Sequence, residues 1–312
     1  MSFVKKTKKN IGIFSTKQGH KSIAEAAKEK IERLAGDKYN VKIFYTKQVL
    51  GAVYESFYRL APGALKLPYE VLVKSIEKDA EVSKLISKYF YQHTKKSSRQ
   101  FLKNNQIDFA ISSYFTYKPI LEEFSDKFKV PHLNIIHDPR TITPLQFFPK
   151  AVSNLFFEEK NLEKYQKKCP SRVAGWFVGE KFEKSYDKKI VRKKLKIKDC
   201  LTFLIVSGSD GSNAVLKILP ALINCQKPVQ VFIACGSNKM LYDNVIGIRH
   251  SLKNLSQSKA EIIPLRFTKD MHQYMQAADL IIGKAGPNTL FESVATLTPF
   301  FAITHIVQEE GN

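Results

Sequence analysis

The chain alternates short apolar runs with longer stretches in which apolar residues recur every three or four positions, the pattern of parallel strands joined by helices. Residues 10–15 (NIGIFS) read as a first strand, and residues 21–35 as a first helix with Ile23, Ala24, Ala27 and Ile31 on one side. Residues 41–45, 109–113, 133–137 and 155–157 read as further strands. A second set follows at 202–207, 229–234, 260–264, 278–282 and 299–304, with helices near 214–225, 238–255 and 270–277. The pattern predicts an α/β chain with two doubly wound parallel sheets. It places an N-terminal domain at 1–179 and a C-terminal domain at 180–312, with a hinge in the lysine-rich stretch 179–199.

Composition narrows the class. With 312 residues and 44% hydrophobic content the chain can bury two cores. The four cysteines, Cys169, Cys200, Cys225 and Cys235, form no C-x-x-C pair, so they read as reduced thiols and not as a metal site. No stretch reaches about 18 consecutive apolar residues. The start, MSFVKKTKKN, runs into a strand and not into a signal-peptide core, so the expectation is a cytoplasmic protein peripheral to a membrane.

Charge adds a partner question. The net charge of +21 is uneven: residues 200–312 hold nine basic and eight acidic residues, whereas residues 1–199 hold 41 and 21. One reading is attraction to anionic lipid headgroups, about 1 kcal/mol per basic group near the surface. Nucleic-acid phosphates and a plainly solvated lysine-rich surface are the other two.

The densest chemistry lies in residues 278–312. An apolar strand runs into Gly283-Lys284-Ala285-Gly286, small residues that let a backbone approach a ligand, and Pro287 opens a helix. The amides and positive dipole end of that helix, around Asn288 and Thr289, suit a diphosphate, and Glu292 one turn in suits ribose hydroxyls. Gln308 and Glu309 follow the next strand. A second phosphate cradle is Ser207-Gly208-Ser209-Asp210-Gly211 after the strand at 202–207.

The string GKAGPNTLFESVATLTPFFAI followed by QEEGN resembles the donor-site signature of glycosyltransferase family 28, in its monogalactosyldiacylglycerol synthase and processive diacylglycerol glucosyltransferase branch. Pro287 stands at the second glycine of the usual Lys-Ala-Gly-Gly turn, and Val307 at the glycine of the usual Pro-Gly-Gln-Glu loop. The resemblance implies the GT-B architecture, two Rossmann-like domains facing across a cleft, here with a C-terminal domain that stops early. It implies a UDP-hexose as donor substrate, no separate cofactor or metal, and a membrane lipid such as diacylglycerol as acceptor. Lys284, Ala285, Gly286, Asn288, Thr289, Glu292, Gln308 and Glu309 then hold the donor with Ser207, Gly208 and Gly211. The loop containing Phe267, and Met271 at the next helix start, would meet the uracil edge.

Gly19-His20 resembles the family's glycine-rich turn, which makes His20 the candidate base toward the acceptor hydroxyl. Asp138 matches the family's Thr-Asp and is the second catalytic candidate, orienting that hydroxyl or assisting His20. Thr143 and Phe147 stand where the family usually has His and Trp. Amphipathic segments in 49–76, containing Tyr54-Glu55 and Tyr58-Arg59, resemble the family's lipid-acceptor region. The expected function is an inverting transfer of a hexose from UDP to a lipid, with no nucleic-acid partner. The alternatives are a UDP-sugar epimerase or hydrolase of the same fold, or a non-catalytic basic membrane- or nucleic-acid-binding protein.

Overall fold

The computed structural model describes residues 8–17, 20–46, 71–72, 74–76, 78–136, 138, 142–167, 169–208, 211–253 and 258–304. Among the described residues, eleven strands form two all-parallel sheets. The first contains β1 (Lys9–Thr16), β2 (Tyr39–Thr46), β3 (Phe109–Ser112), β4 (His132–Ile135), β5 (Ser153–Phe156) and β6 (Ser171–Val173), in the order β2-β1-β3-β4-β5-β6. The second contains β7 (Leu201–Val206), β8 (Val229–Ala234), β9 (Ala260–Leu265), β10 (Leu280–Lys284) and β11 (Phe300–Thr304), in the order β11-β10-β7-β8-β9.

Each sheet has one place where the strand order reverses. Chain leaving β1 goes to β2 on one side, while β3 lies on the other; chain leaving β7 goes to β8, while β10 lies on the other. Connections that depart in opposite directions leave a crevice at the carboxyl ends of those neighbouring strands, the place where open α/β sheets bind ligands.

The β-branched and aromatic residues of the central strands explain the cores. In the first sheet Ile11, Ile13, Ile111 and Ile135 pack under the helix His20–Ala35, and Phe14 packs on the opposite face with Ala110, Tyr117, Ile120 and Phe148. In the second, Ile205, Val231, Ile233 and Ile282 pack with Leu241 and Val245 of the helix Lys239–Lys253. Both faces of these strands are covered, as the continuous apolar runs require.

Contacts group the described chain into two compact units, the first holding the six-stranded sheet as far as Glu180, the second holding the five-stranded sheet from Lys181. Glu180 accepts an ion pair from Arg33 at 2.8 Å, and its amide donates to Glu29. Lys181 donates to the Lys269 carbonyl at 3.1 Å. The helix Lys188–Lys194 is built into the second unit by Arg192, whose guanidinium donates to the carbonyls of Ala277, Lys198 and Cys200, to Thr202 and to Asp279. The charge imbalance therefore divides elsewhere than the fold. Residues 181–199, nine basic and three acidic, lie in the second unit.

Several elements went unrecognised in the sequence pattern, among them the helices Lys118–Phe128, Glu159–Tyr165 and Lys188–Lys194. The helix Ala80–Asn104, started by the Asp79 side chain accepting from Glu81 and Val82 amides, occupies what reads as a long connection. The edge strand β6 is too short to show alternation. Most of the amphipathic segments in 49–76 lie outside the described residues.

Candidate functional site

In the second unit the loop after β7 and the turn after β10 leave neighbouring strand ends, since Gly283 pairs with Val206. Glycine at 283 is required by that pairing: a Cβ there would stand 2.3 Å from the Val206 carbonyl oxygen. At Gly283 itself the close approach is between two strands.

Lys284 ends β10, Ala285 and Gly286 form the turn, and Pro287 takes the first position of the helix Pro287–Ala295. Gly286 has extended backbone angles and no side chain to cap the helix, and its carbonyl accepts from Leu290 at 3.0 Å. The start of this helix, with Asn288 and Thr289, presents the amide-rich, positive end of a dipole. Glu292 is half-buried on the same helix. Burial pushes its carboxyl up to about 8, against the opposing pull of the Lys181 ammonium.

The loop after β7 is closed upon itself. Ser207 is buried and its hydroxyl accepts from the Ser212 amide at 2.9 Å. Gly208 and Gly211 both adopt left-handed backbone angles, φ +82° and +66°. At Gly211 a Cβ would meet the Cys235 carbonyl oxygen at 2.3 Å, so only glycine fits. Its carbonyl accepts from Asn238 at 3.1 Å, and its amide reaches the Gly208 carbonyl at 3.4 Å. The Cys235 carbonyl and the Asn238 side chain thus seat Gly211 on the connection after β8.

After β9, Arg266 lies over the Tyr242 ring at 4.5 Å, while Phe267 is 66% exposed. Met271 opens the helix Met271–Ala277 behind Asp270, whose amide donates to the Thr268 hydroxyl. Gln308 and Glu309 lie outside the described residues.

In the first unit His20 is the first residue of the helix His20–Ala35, at the β1–β3 reversal. Its Nδ1 is 2.7 Å from the Ser113 carbonyl, beyond the end of β3, and its ring meets Tyr114 edge-on at 4.3 Å. Asp138 follows β4 and accepts from the Gln146 side chain. Gln146 is itself fixed, since its own side chain accepts from the Thr143 amide and its carbonyl accepts from Asn134 at 2.7 Å. The structure thus gives His20 a carbonyl partner from Ser113 and gives Asp138 an amide partner from Gln146. Ser113 and Lys181 were missed because their sequence distances from His20 and Glu292, 93 residues in the case of His20 and Ser113, carry no local signal.

Known proteins match this architecture. Residues 202–310 match the glycosyltransferase family 28 C-terminal domain. The UDP-N-acetylglucosamine–N-acetylmuramyl-(pentapeptide) pyrophosphoryl-undecaprenol N-acetylglucosamine transferase of Desulfitobacterium hafniense is 30% identical over 119 residues, 36% of this chain and 31% of that protein. A probable chloroplastic monogalactosyldiacylglycerol synthase of Nicotiana tabacum is 28% identical over 199 residues, 59% of this chain and 36% of that protein. The chain spans about a third of the length of these two relatives. The crystal structure of Acinetobacter baumannii MurG superposes with a TM-score of 0.59 at 18% identity, covering 98% of this chain and 81% of that one. The chain has the GT-B fold, and its residues 202–310 match the family model of the glycosyltransferase family 28 C-terminal domain.

Proposed function

We propose that this chain transfers a hexose from a UDP-sugar to a hydroxyl of a membrane lipid such as diacylglycerol, with inversion at the anomeric carbon. The observation that carries the reading is the turn Lys284–Gly286 with the helix Pro287–Ala295, lying beside the Ser207–Ser212 loop at the reversal of a family 28 domain. The acceptor oxygen attacks the anomeric carbon as the bond to the β-phosphate breaks. The hydroxyl proton passes to His20, and UDP leaves with its charge facing the helix start. Asp138, held by Gln146, would orient the acceptor hydroxyl. Glu292 would take the ribose hydroxyls, and the Phe267 loop with Met271 the uracil.

N-Acetylglucosamine as the transferred sugar is the second reading, favoured by the 30% match to an N-acetylglucosamine transferase. Incubating the full chain with labelled UDP-glucose, UDP-galactose or UDP-N-acetylglucosamine and diacylglycerol vesicles decides between them. A glycolipid from one donor names the sugar. UDP binding without any glycolipid removes the lipid acceptor, and turnover of donor without vesicles supports a hydrolase or epimerase.

Among the described residues no helix is long and apolar enough to cross a membrane, and a peripheral attachment suits the reading. The excess of 32 basic over 18 acidic residues in 1–180 supports anionic lipid as its surface. Co-sedimentation of the whole chain with anionic vesicles should weaken between 0.1 and 1 M salt, as the Debye length falls from about 10 Å to about 3 Å. Equal binding to neutral vesicles would leave the charge as a solvated surface.

A further inference from the structure

One pair of buried serines holds His20 at both ends. The imidazole Nδ1 lies 2.7 Å from the Ser113 carbonyl oxygen, which only accepts, so Nδ1 carries a hydrogen and, in the neutral ring, Nε2 carries the lone pair. Ser113 is fixed in turn: its amide donates to the Phe14 carbonyl at 3.0 Å, and its hydroxyl donates to Ser15 Oγ at 2.9 Å. Ser15 Oγ then donates to the carbonyl of His20 itself at 3.1 Å. The path runs from the His20 ring through Ser113 and Ser15 back to the His20 main chain.

Both serines are fully buried, where a hydroxyl is tolerated only if hydrogen-bonded. The circuit is braced from β2 as well, because Tyr117 donates to the Ser15 carbonyl at 2.7 Å and meets the Thr46 hydroxyl at 2.9 Å. Tyr114, edge-on to the imidazole, limits its rotation. A histidine that merely begins a helix needs none of this.

We propose that Ser15 and Ser113 are positioning residues that set the Nδ1–H tautomer of His20 and aim its Nε2 as the proton acceptor. The proposal rests on the reading of His20 as the base. Its partner is a neutral carbonyl in place of a carboxylate, so the tautomer is fixed without a buried negative charge beside the ring.

Nitrogen-15 spectra of the histidine side chains in the full chain, recorded above the imidazole titration, test it directly. Wild type should show His20 as the Nδ1–H tautomer, the minor form of free histidine. Ser15→Ala and Ser113→Ala should each move the signal toward Nε2–H and lower kcat about tenfold with KM for the UDP-sugar unchanged. A purely structural role would lower the melting temperature and leave the tautomer where it is. An Nε2–H signal in wild type overturns the proposal even where neither variant folds, as does an unchanged tautomer in both variants. His20→Ala separates the two claims. Undiminished turnover there overturns the base and with it the purpose of the clamp, whereas lost turnover beside a tautomer indifferent to both serines overturns the clamp alone.

Discussion

At the reversal of the first sheet, between β1 and β3, polar side chains bond one another: His20 to Ser113, Ser113 to Ser15, and Ser15 back to His20. At the reversal of the second, between β7 and β10, the border is a glycine loop, an uncapped helix start and a desolvated carboxyl at Glu292. The same topology thus carries two kinds of site. One is held by hydrogen bonds among its own side chains; the other carries a carboxyl that burial keeps protonated near neutral pH.

The comparison breaks most visibly at His20. His20→Ala should lower kcat by about 10²–10⁴, the range of a lost general base, and leave UDP affinity unchanged. Steady-state kinetics with a UDP titration checks both halves, and parallel losses in the two would place His20 in donor binding.

Gly211→Ala tests whether the second border is a rigid seat. The left-handed φ and the Cβ clash with the Cys235 carbonyl should together cost about 3 kcal/mol, read as a lower unfolding midpoint in denaturant. An unshifted midpoint would show that the loop rearranges freely.

A buried polar group need not mark a site, and His132 sharpens the contrast. It is fully buried at the amino end of β4, neither ring nitrogen has a hydrogen-bond partner among the described residues, and burial holds it down at about 4 despite the opposing pull of Asp126. A depressed folded value means stability present above the unfolded value near 6.5 and lost as pH falls toward 4, up to about 3 kcal/mol. Urea melts across that window should show the loss in wild type, and His132→Leu should flatten it.

The smallest expected effect belongs to Glu292. Ribose hydroxyls prefer the ionised carboxylate, so UDP affinity should rise with pH up to about 8, roughly tenfold per unit below it. Calorimetry over that range should show the slope, and Glu292→Ala should abolish it and weaken UDP by one to two decades near pH 8, about 1.5–3 kcal/mol. A slope that survives the substitution would assign it to another group.

Much of the fold was legible because buried parallel strands are continuous apolar runs: β8 was expected at the same residues, and β7 within one residue at each end. The long helix Ala80–Asn104 was not, because lysines and aromatics interrupt its buried positions Thr94, Ser98 and Leu102, two of which are polar. At the sites, residue types were visible and their partners were not. At Gly211 the glycine was visible, but not the Cys235 carbonyl that a side chain there would strike. The serines around His20 become neighbours through β1–β3 pairing, which no local pattern announces.

The pairing of β7 with β10 has a consequence for the chain while it is being made. Val206 leaves the ribosome well before Gly283, its partner, and β8 and β9 are synthesised between them. At about 5–20 residues per second the β7 edge stays open for roughly 4–15 s. During that interval it is an unpaired apolar strand edge, the kind of surface chaperones cover. The crevice between β7 and β10 therefore exists only once the close backbone contact at Gly283 forms.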